Sequence, residues 1–369
     1  MSYHEKSATE LLAPLNVDPD RPSRVDIAAA MAGVRRKRRY TFTAAGAAAV
    51  ALAGGTAFGG ALAFDRSQPA PEPLPVCVAT ELPMGKYSSV QVTAADPTGR
   101  YIAGRANPIA GMKSALIVWH DNTIAEIVKR DKLVITDFDT RGVGVGFEIN
   151  GSRAYVYRNG ALTPLKGDRV EARAINEAGV IVGASISNSA RRPVRWASAT
   201  ADPEPLPMPA GVTGALAVDL AEDGTIVGRT DDHGGYLWLP DGTHRPIAPP
   251  EIGGTPAYGF EPRRLRGGWV YGEASFPDGA VKDQSEARAG DVPFRYQIAT
   301  GRYERLPVND GRPAVHVGNR LIPLPGDTNE SREYNHVVRT FSADDRAFAG
   351  DNHGLTSDDP FHPMSWRCE

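Results

Sequence analysis

The chain has 369 residues, 41% of them hydrophobic and 8% aromatic, with 39 glycines and 30 prolines. That many turn formers exclude a protein of long helices, while the apolar share is enough for a sizeable core. A formal net charge of -3 lacks the basic stripe that nucleic-acid binding requires, so no nucleic-acid partner is expected.

Residues 1–39 read as a cytoplasmic tail. Ser23 and Asp26 form a helix-start pair, and Ile27, Met31 and Val34 share one helical face, which predicts a short amphipathic helix. It runs into the basic block Arg35-Arg36-Lys37-Arg38-Arg39. Residues 40–64 then carry no charge, and about 25 residues at 1.5 Å rise cross a bilayer core of roughly 30 Å. A single transmembrane helix is expected there, its amino terminus held in the cytoplasm by the basic block and the rest of the chain outside the cell membrane. Cleavage after Ala61-Leu62-Ala63 as a signal peptide is the rival reading. Gly55 and Gly59 form a GxxxG pair that permits weak self-association. Residues 65–76, with Pro69, Pro71, Pro73 and Pro75, make an extended linker.

From residue 77 to 369 the chain repeats itself. Short apolar runs end on Gly104, Gly146, Gly183, Gly228, Gly272 and Gly350, each after a turn such as Asp96-Pro97-Thr98-Gly99 or Ala221-Glu222-Asp223-Gly224. Each run predicts the return strand of a hairpin. A second hairpin follows, with an aromatic strand (Leu116 to Trp119, Ala154 to Tyr157, Pro193 to Trp196, Tyr236 to Trp238, Pro293 to Tyr296) and a Leu-Pro or Pro-Leu partner. Two hairpins give a four-stranded blade, and self-similarity at roughly 40 to 45 residues predicts an all-β propeller. Proline suits the outermost strand, where a missing donor does no harm.

The terminal glycines are spaced 42, 37, 45, 44 and 78 residues apart. The long gap holds an outer hairpin, Pro313 to Val317 with Leu321 to Pro325, but no clear inner one. Seven blades with one eroded are expected, with six blades and an insertion as the alternative. The orphan strand Cys77 to Pro83 should complete the last blade beside Pro363 to Cys368, and the only two cysteines, Cys77 and Cys368, should form a disulfide across that closure.

The unit Ala174 to Gly183 resembles the HAF repeats of bacterial extracellular proteins, and Gly224 to Gly228 is a second match, with Arg346 standing at the turn-glycine position of the last repeat. Tail, arginine block, span and repeats together resemble uncharacterised single-pass membrane proteins of actinobacteria. The resemblance implies architecture and carries no catalytic residues.

No P-loop, HExxH, CxxC or GxSxG motif is present, so neither a catalytic residue nor a cofactor is expected. Asp351, His353, Asp358, Asp359 and His362 are weak candidates for a metal site, set against a plain polar loop. Asp137, Arg173, Asp219 and Arg339 lie on predicted inner strands and could line the mouth of the ring. The expected function is a membrane-anchored binding module for an envelope polymer or protein. An extracytoplasmic hydrolase or lyase, and a signalling protein with the propeller as sensor, are the alternatives.

Overall fold

The computed structural model describes residues 75–107, 113–149, 153–277, 291–307, 314–325, 334–354 and 360–369. The expected tail, span and nearly all of the linker lie outside these residues. None of the described residues is helical, and no helix among them is long and apolar enough to cross a membrane.

Strand β1 (Cys77–Glu81) opens the ring. The first blade is β2 (Val90–Ala95), β3 (Tyr101–Ala106), β4 (Ala115–His120) and β5 (Thr123–Val128). The second is β6 (Leu133–Phe138), β7 (Gly144–Glu148), β8 (Ala154–Arg158) and β9 (Ala161–Pro164). The third is β10 (Val170–Ile175), β11 (Ile181–Ser187), β12 (Ala190–Trp196) and β13 (Pro203–Pro205). The fourth is β14 (Ala215–Leu220), β15 (Ile226–Thr230), β16 (Gly235–Trp238) and β17 (His244–Ile247). After a small hairpin, β18 (Glu251–Ile252) with β19 (Thr255–Pro256), the fifth blade is β20 (Gly259–Arg266), β21 (Trp269–Ser275), β22 (Asp291–Gln297) and β23 (Tyr303–Arg305). A lone hairpin follows, β24 (Ala314–Val317) with β25 (Arg320–Pro323). The sixth blade is β26 (Tyr334–Phe341), β27 (Ala347–Gly354) and β28 (Phe361–Cys368), with β1 as its outer strand.

The recurrent glycine has a steric cause. In every blade the innermost strand carries a β-bulge opposite it, at Thr93, Thr136, Arg173, Val218, Arg263 and Arg339. In four blades the bulge tips an inner-strand carbonyl onto the glycine Cα. A Cβ there would lie 2.0 Å from the Val134 oxygen at Gly146, 1.9 Å from that of Glu171 at Gly183, 2.4 Å from that of Glu261 at Gly272 and 2.0 Å from that of Val337 at Gly350. At Gly228 the Leu216 oxygen and Trp238 share the space, and at Gly104 the obstruction is the Trp119 ring. No side chain fits these positions without moving backbone or core.

The turns before these strands start on a small polar acceptor. Asp96 receives the Thr98 and Tyr101 N–H groups, Asp139 those of Arg141 and Val143, and Asn176 that of Val180. Gly99, Gly142, Gly179 and Gly224 then take positive φ, as the turns require. In the last repeat that position belongs to Asp345 (φ 63°), not to Arg346 as the sequence alignment had it. The turn there is one residue longer than in the Asn176 repeat, and Arg346 follows it as Arg100 follows Gly99.

Adjacent blades are joined by tryptophan. The indoles of Trp119, Trp196 and Trp238 donate to the carbonyls of Pro83, Lys166 and Pro207, each just past the outer strand of the preceding blade. Trp366 of the sixth blade makes the same bond at 2.7 Å, but its acceptor is Pro325, at the end of the lone hairpin. The hairpin thus sits where the outer half of a preceding blade would sit.

The expected seven blades are accordingly corrected to six. The long repeat supplies an outer hairpin only, and no bulged inner strand paired to a glycine-terminated strand stands beside it among the described residues. The apolar clusters follow suit. Five fill the junctions of blades one and two, two and three, three and four, four and five, and six and one. The sixth joins the hairpin to blade six through Val315, Ile322, Leu324, Phe348 and Trp366. Among the described residues none joins blade five to the hairpin or to blade six.

The ring closes as expected. Strand β1 pairs antiparallel with β28, Ala79 opposite Trp366, and Cys77 is bonded to Cys368. Val76 and Glu369 exchange both backbone hydrogen bonds, so the cysteines occupy the next, non-hydrogen-bonded pair, where Cα atoms approach most closely.

Candidate binding mouth and channel

The innermost strands turn a free edge to the axis, and their bulges add unpaired donors that need partners. Asp137 accepts the Ile175 N–H at 2.8 Å, from the next blade. Asp219 accepts the Leu265 N–H of the fifth blade at 2.6 Å and that of Leu220 at 2.8 Å. Asp351 accepts the Val92 N–H of the first blade and pairs with Arg339, both at 2.5 Å. The sequence candidates Asp137, Asp219 and Arg339 are therefore engaged in interblade or intrablade ties around the channel.

These ties place charge in a dry setting. Burial raises the Asp137 carboxyl well above the usual carboxylate range, and the charge of Asp219 raises it further. Burial likewise lifts Asp219 to about 6, partly offset by the two backbone donors and Arg264. The charge of Asp219 is thus felt at Asp137, two blades away.

Arg173, the fourth candidate, is at the bulge of the third blade. It binds Glu171 at 2.6 Å and lies over the Phe147 ring, 4.4 Å from its centroid. Arg191 completes the group at 3.3 Å from Glu171. Burial pushes the Glu171 carboxyl up, but the two guanidinium groups more than offset it, and it stays below the usual range.

The group borders a cavity of about 310 Å³ where the third, fourth and fifth blades meet, on the side from which their inner strands start. Arg191, Leu216, Arg229, His233 and Glu261 are among its walls. Glu261 is bonded to His233 Nδ1 at 2.6 Å and lies 3.4 Å from Arg229 and 3.6 Å from Arg263. The His233 hydrogen bond is the main reason its carboxyl lies below the usual range. Glu171 and Glu261 are saturated and Asp231, an exposed acid on the same wall, is held by Thr213, while the cationic heads of Arg191 and Arg229 and the His233 ring remain substantially exposed. The cavity can therefore meet acidic groups of a ligand.

Sequence reasoning named Arg173 but missed Glu171, Arg191, Arg229, His233 and Glu261. The signal was present in part: Glu171 and Glu261 stand two residues before the bulge positions Arg173 and Arg263, on equivalent strands. Arg191 from the third strand of its blade, Arg229 from a second strand and His233 from a turn are brought together only by the fold.

Of the metal candidates, Asp351 is buried and held as described, and His362 lies on β28 opposite Asn352. Backbone pairing sets His353 opposite Phe361. Asp358 and Asp359 lie outside the described residues. Among the described residues no group of three or more His, Cys, Asp or Glu side chains is placed to hold a metal.

No family model and no curated protein matches this chain. Among solved structures it is similar to YCF48 bound to D1 peptide, at 12% identity and a TM-score of 0.42, covering 79% of this chain and 96% of that one. It is similar also to TolB from Acinetobacter baumannii, at 13% identity and a TM-score of 0.42, covering 77% and 65%. A Bacteroides thetaiotaomicron protein of unknown function is similar at 10% identity and a TM-score of 0.46, covering 80% and 76%. Likeness at this level carries neither ligand nor activity to this chain.

Proposed function

We propose that the chain is a membrane-anchored propeller that binds charged envelope material, a wall polymer or a protein segment, at the mouth formed by its third to fifth blades. The observation that carries this reading is the cavity lined by exposed Arg191, Arg229 and His233, with Glu171 and Glu261 already paired to arginine and Asp231 held by Thr213. Cations whose counterions are shared present net attraction to a ligand carboxylate or phosphate, and a concave site at converging loops is where propellers can offer it. Anchoring rests on the uncharged residues 40–64 behind five consecutive basic residues, which favours an amino terminus inside and the propeller outside the cell membrane. HAF-repeat kinship of an actinobacterial type belongs to the same proposal.

The test is retention of isolated envelope material by the full-length chain, compared with Arg229→Ala and with Arg191→Ala/Arg229→Ala. Retention that falls at least tenfold in the double variant, with no chemical change in the retained material, is the expected result. Undiminished retention, or release of cleaved products, overturns the reading, the second outcome in favour of a hydrolase or lyase. A reporter fused after residue 65 that is active only in the cytoplasm would overturn the topology.

A further inference from the structure

The junction of the fifth and sixth blades holds a cleft of about 270 Å³, walled by Arg264, Tyr271, Pro293, Leu306, His316 and Phe341 among others. It lies where the inner hairpin of an additional blade would have packed, since β24–β25 supplies only the outer half. Other junctions are filled by apolar clusters, yet this one presents cations. Arg266 is committed to Asp345 and to the Ser342 carbonyl, and Arg263 to Glu261 and Glu273, which also uses up the one carboxylate at the rim of the cleft.

Arg264 is different. Its guanidinium stacks on the Phe341 ring, 3.3 Å from the centroid, and makes no hydrogen bond or ion pair with any described residue. Burial, with the repulsion of Arg266, lowers its pKa to about 10, so it stays charged at neutral pH. Asp219, whose charge favours the guanidinium, already accepts two backbone N–H groups. Burial depresses the His316 ring, and its Nε2 is 2.6 Å from the Pro307 carbonyl, which it meets as a neutral donor. Asp219 and Asp345 act on it only through space, and a desolvated guanidinium with no direct partner is costly unless something satisfies it.

We infer that this cleft is a binding site for a small carboxylate carrying an apolar body. With one face covered by Phe341, the guanidinium is left its edge, and that fork matches a carboxylate in bidentate fashion. Tyr271, Pro293 and Leu306 supply the walls for the apolar part. The site is separate from the mouth of blades three to five and does not rest on it.

Calorimetric titration of the full-length chain with benzoate, acetate and inorganic phosphate tests this. Benzoate is expected to bind saturably at one site, at least tenfold more tightly than acetate or phosphate, and Arg264→Gln to weaken it at least tenfold while Arg195→Ala, at an exposed cation paired with Glu204, leaves it unchanged. Leu306→Trp, which fills the cleft and keeps Arg264, is expected to abolish binding and serves if Arg264→Gln does not fold. Absence of saturable benzoate binding, phosphate binding as tight as benzoate, or benzoate binding unchanged in either cleft variant overturns the inference.

Discussion

At the junction of the sixth and first blades, Leu82, Val90, Val92, Ile117, Trp119 and Ala349 form one buried apolar cluster, and the first and last strands of the ring meet in a full four-stranded sheet with Cys77 bonded to Cys368. At the junction of the fifth and sixth blades a two-stranded hairpin stands alone, and the cleft beside it is lined by arginines. The first junction is assembled from residues almost 300 positions apart, the second from a continuous stretch. Sequence proximity therefore did not decide which was completed. Where the ends of the ring must be held, apolar burial and a covalent bond are concentrated. Where the repeat eroded, Trp366 still ties the hairpin to blade six, and among the described residues no inner strand stands beside it and the cleft there is polar.

The contrast can be broken first at the covalent bond. Converting Cys77 and Cys368 to serine releases a loop of 291 residues and is expected to lower stability by about 5 kcal/mol on loop-closure entropy, read by denaturant unfolding of oxidised and variant protein. A loss near zero would mean that β1 is held by its sheet alone.

Next come two leucines in equivalent places. Leu82 follows the closing strand and Leu324 follows β25, and both are buried, at 1% and 4% exposure. Leu82→Ala is expected to cost about 4 kcal/mol and Leu324→Ala about 2 kcal/mol, because the hairpin packs on one side only. Equal costs would show the hairpin to be as integral as a whole blade.

The last effect concerns pH. Asp219 has a pKa of about 6 in the fold, above the unfolded value of roughly 3.9, so the folded state holds the proton more tightly. Its contribution is a penalty absent below about pH 4, growing as pH rises and complete above about pH 6, on the order of 3 kcal/mol. Asp219→Asn should flatten part of the fall in stability between pH 4 and 6, leaving the part due to Asp137, whose shift has the same sign. Melting curves across that range give the slope, and an unchanged slope would place Asp219 in contact with solvent.

Much of this architecture was legible because its causes are local. Gly183 and Gly350 must be glycine beside a bulged carbonyl, and Asp96, Asp139 and Asn176 must accept hydrogen bonds within their own turns, so each repeat prints the same short pattern. The closure was legible because β1 lacks a partner in its own neighbourhood. The blade count was not, since Ala314 to Pro325 reads as half a blade in sequence and only packing shows that nothing described completes it. The mouth was half legible. Period two links Glu171 to Arg173, but no local rule brings Arg229 and His233 to them, and nothing in the run Pro262-Arg263-Arg264 says which arginine will lack a partner.

Hydrogen exchange on the folded chain, resolved by segment, addresses the contrast most directly. Strand β28 should exchange as slowly as the middle strands of the complete blades and β1, pinned by Cys77–Cys368, as slowly as the other outer strands, whereas β24 and β25, a hairpin with no third strand, should exchange at least a hundredfold faster than β28. Slow exchange throughout Ala314 to Pro323 together with fast exchange in Cys77 to Glu81 would contradict a ring closed at its ends and left open beside its fifth blade.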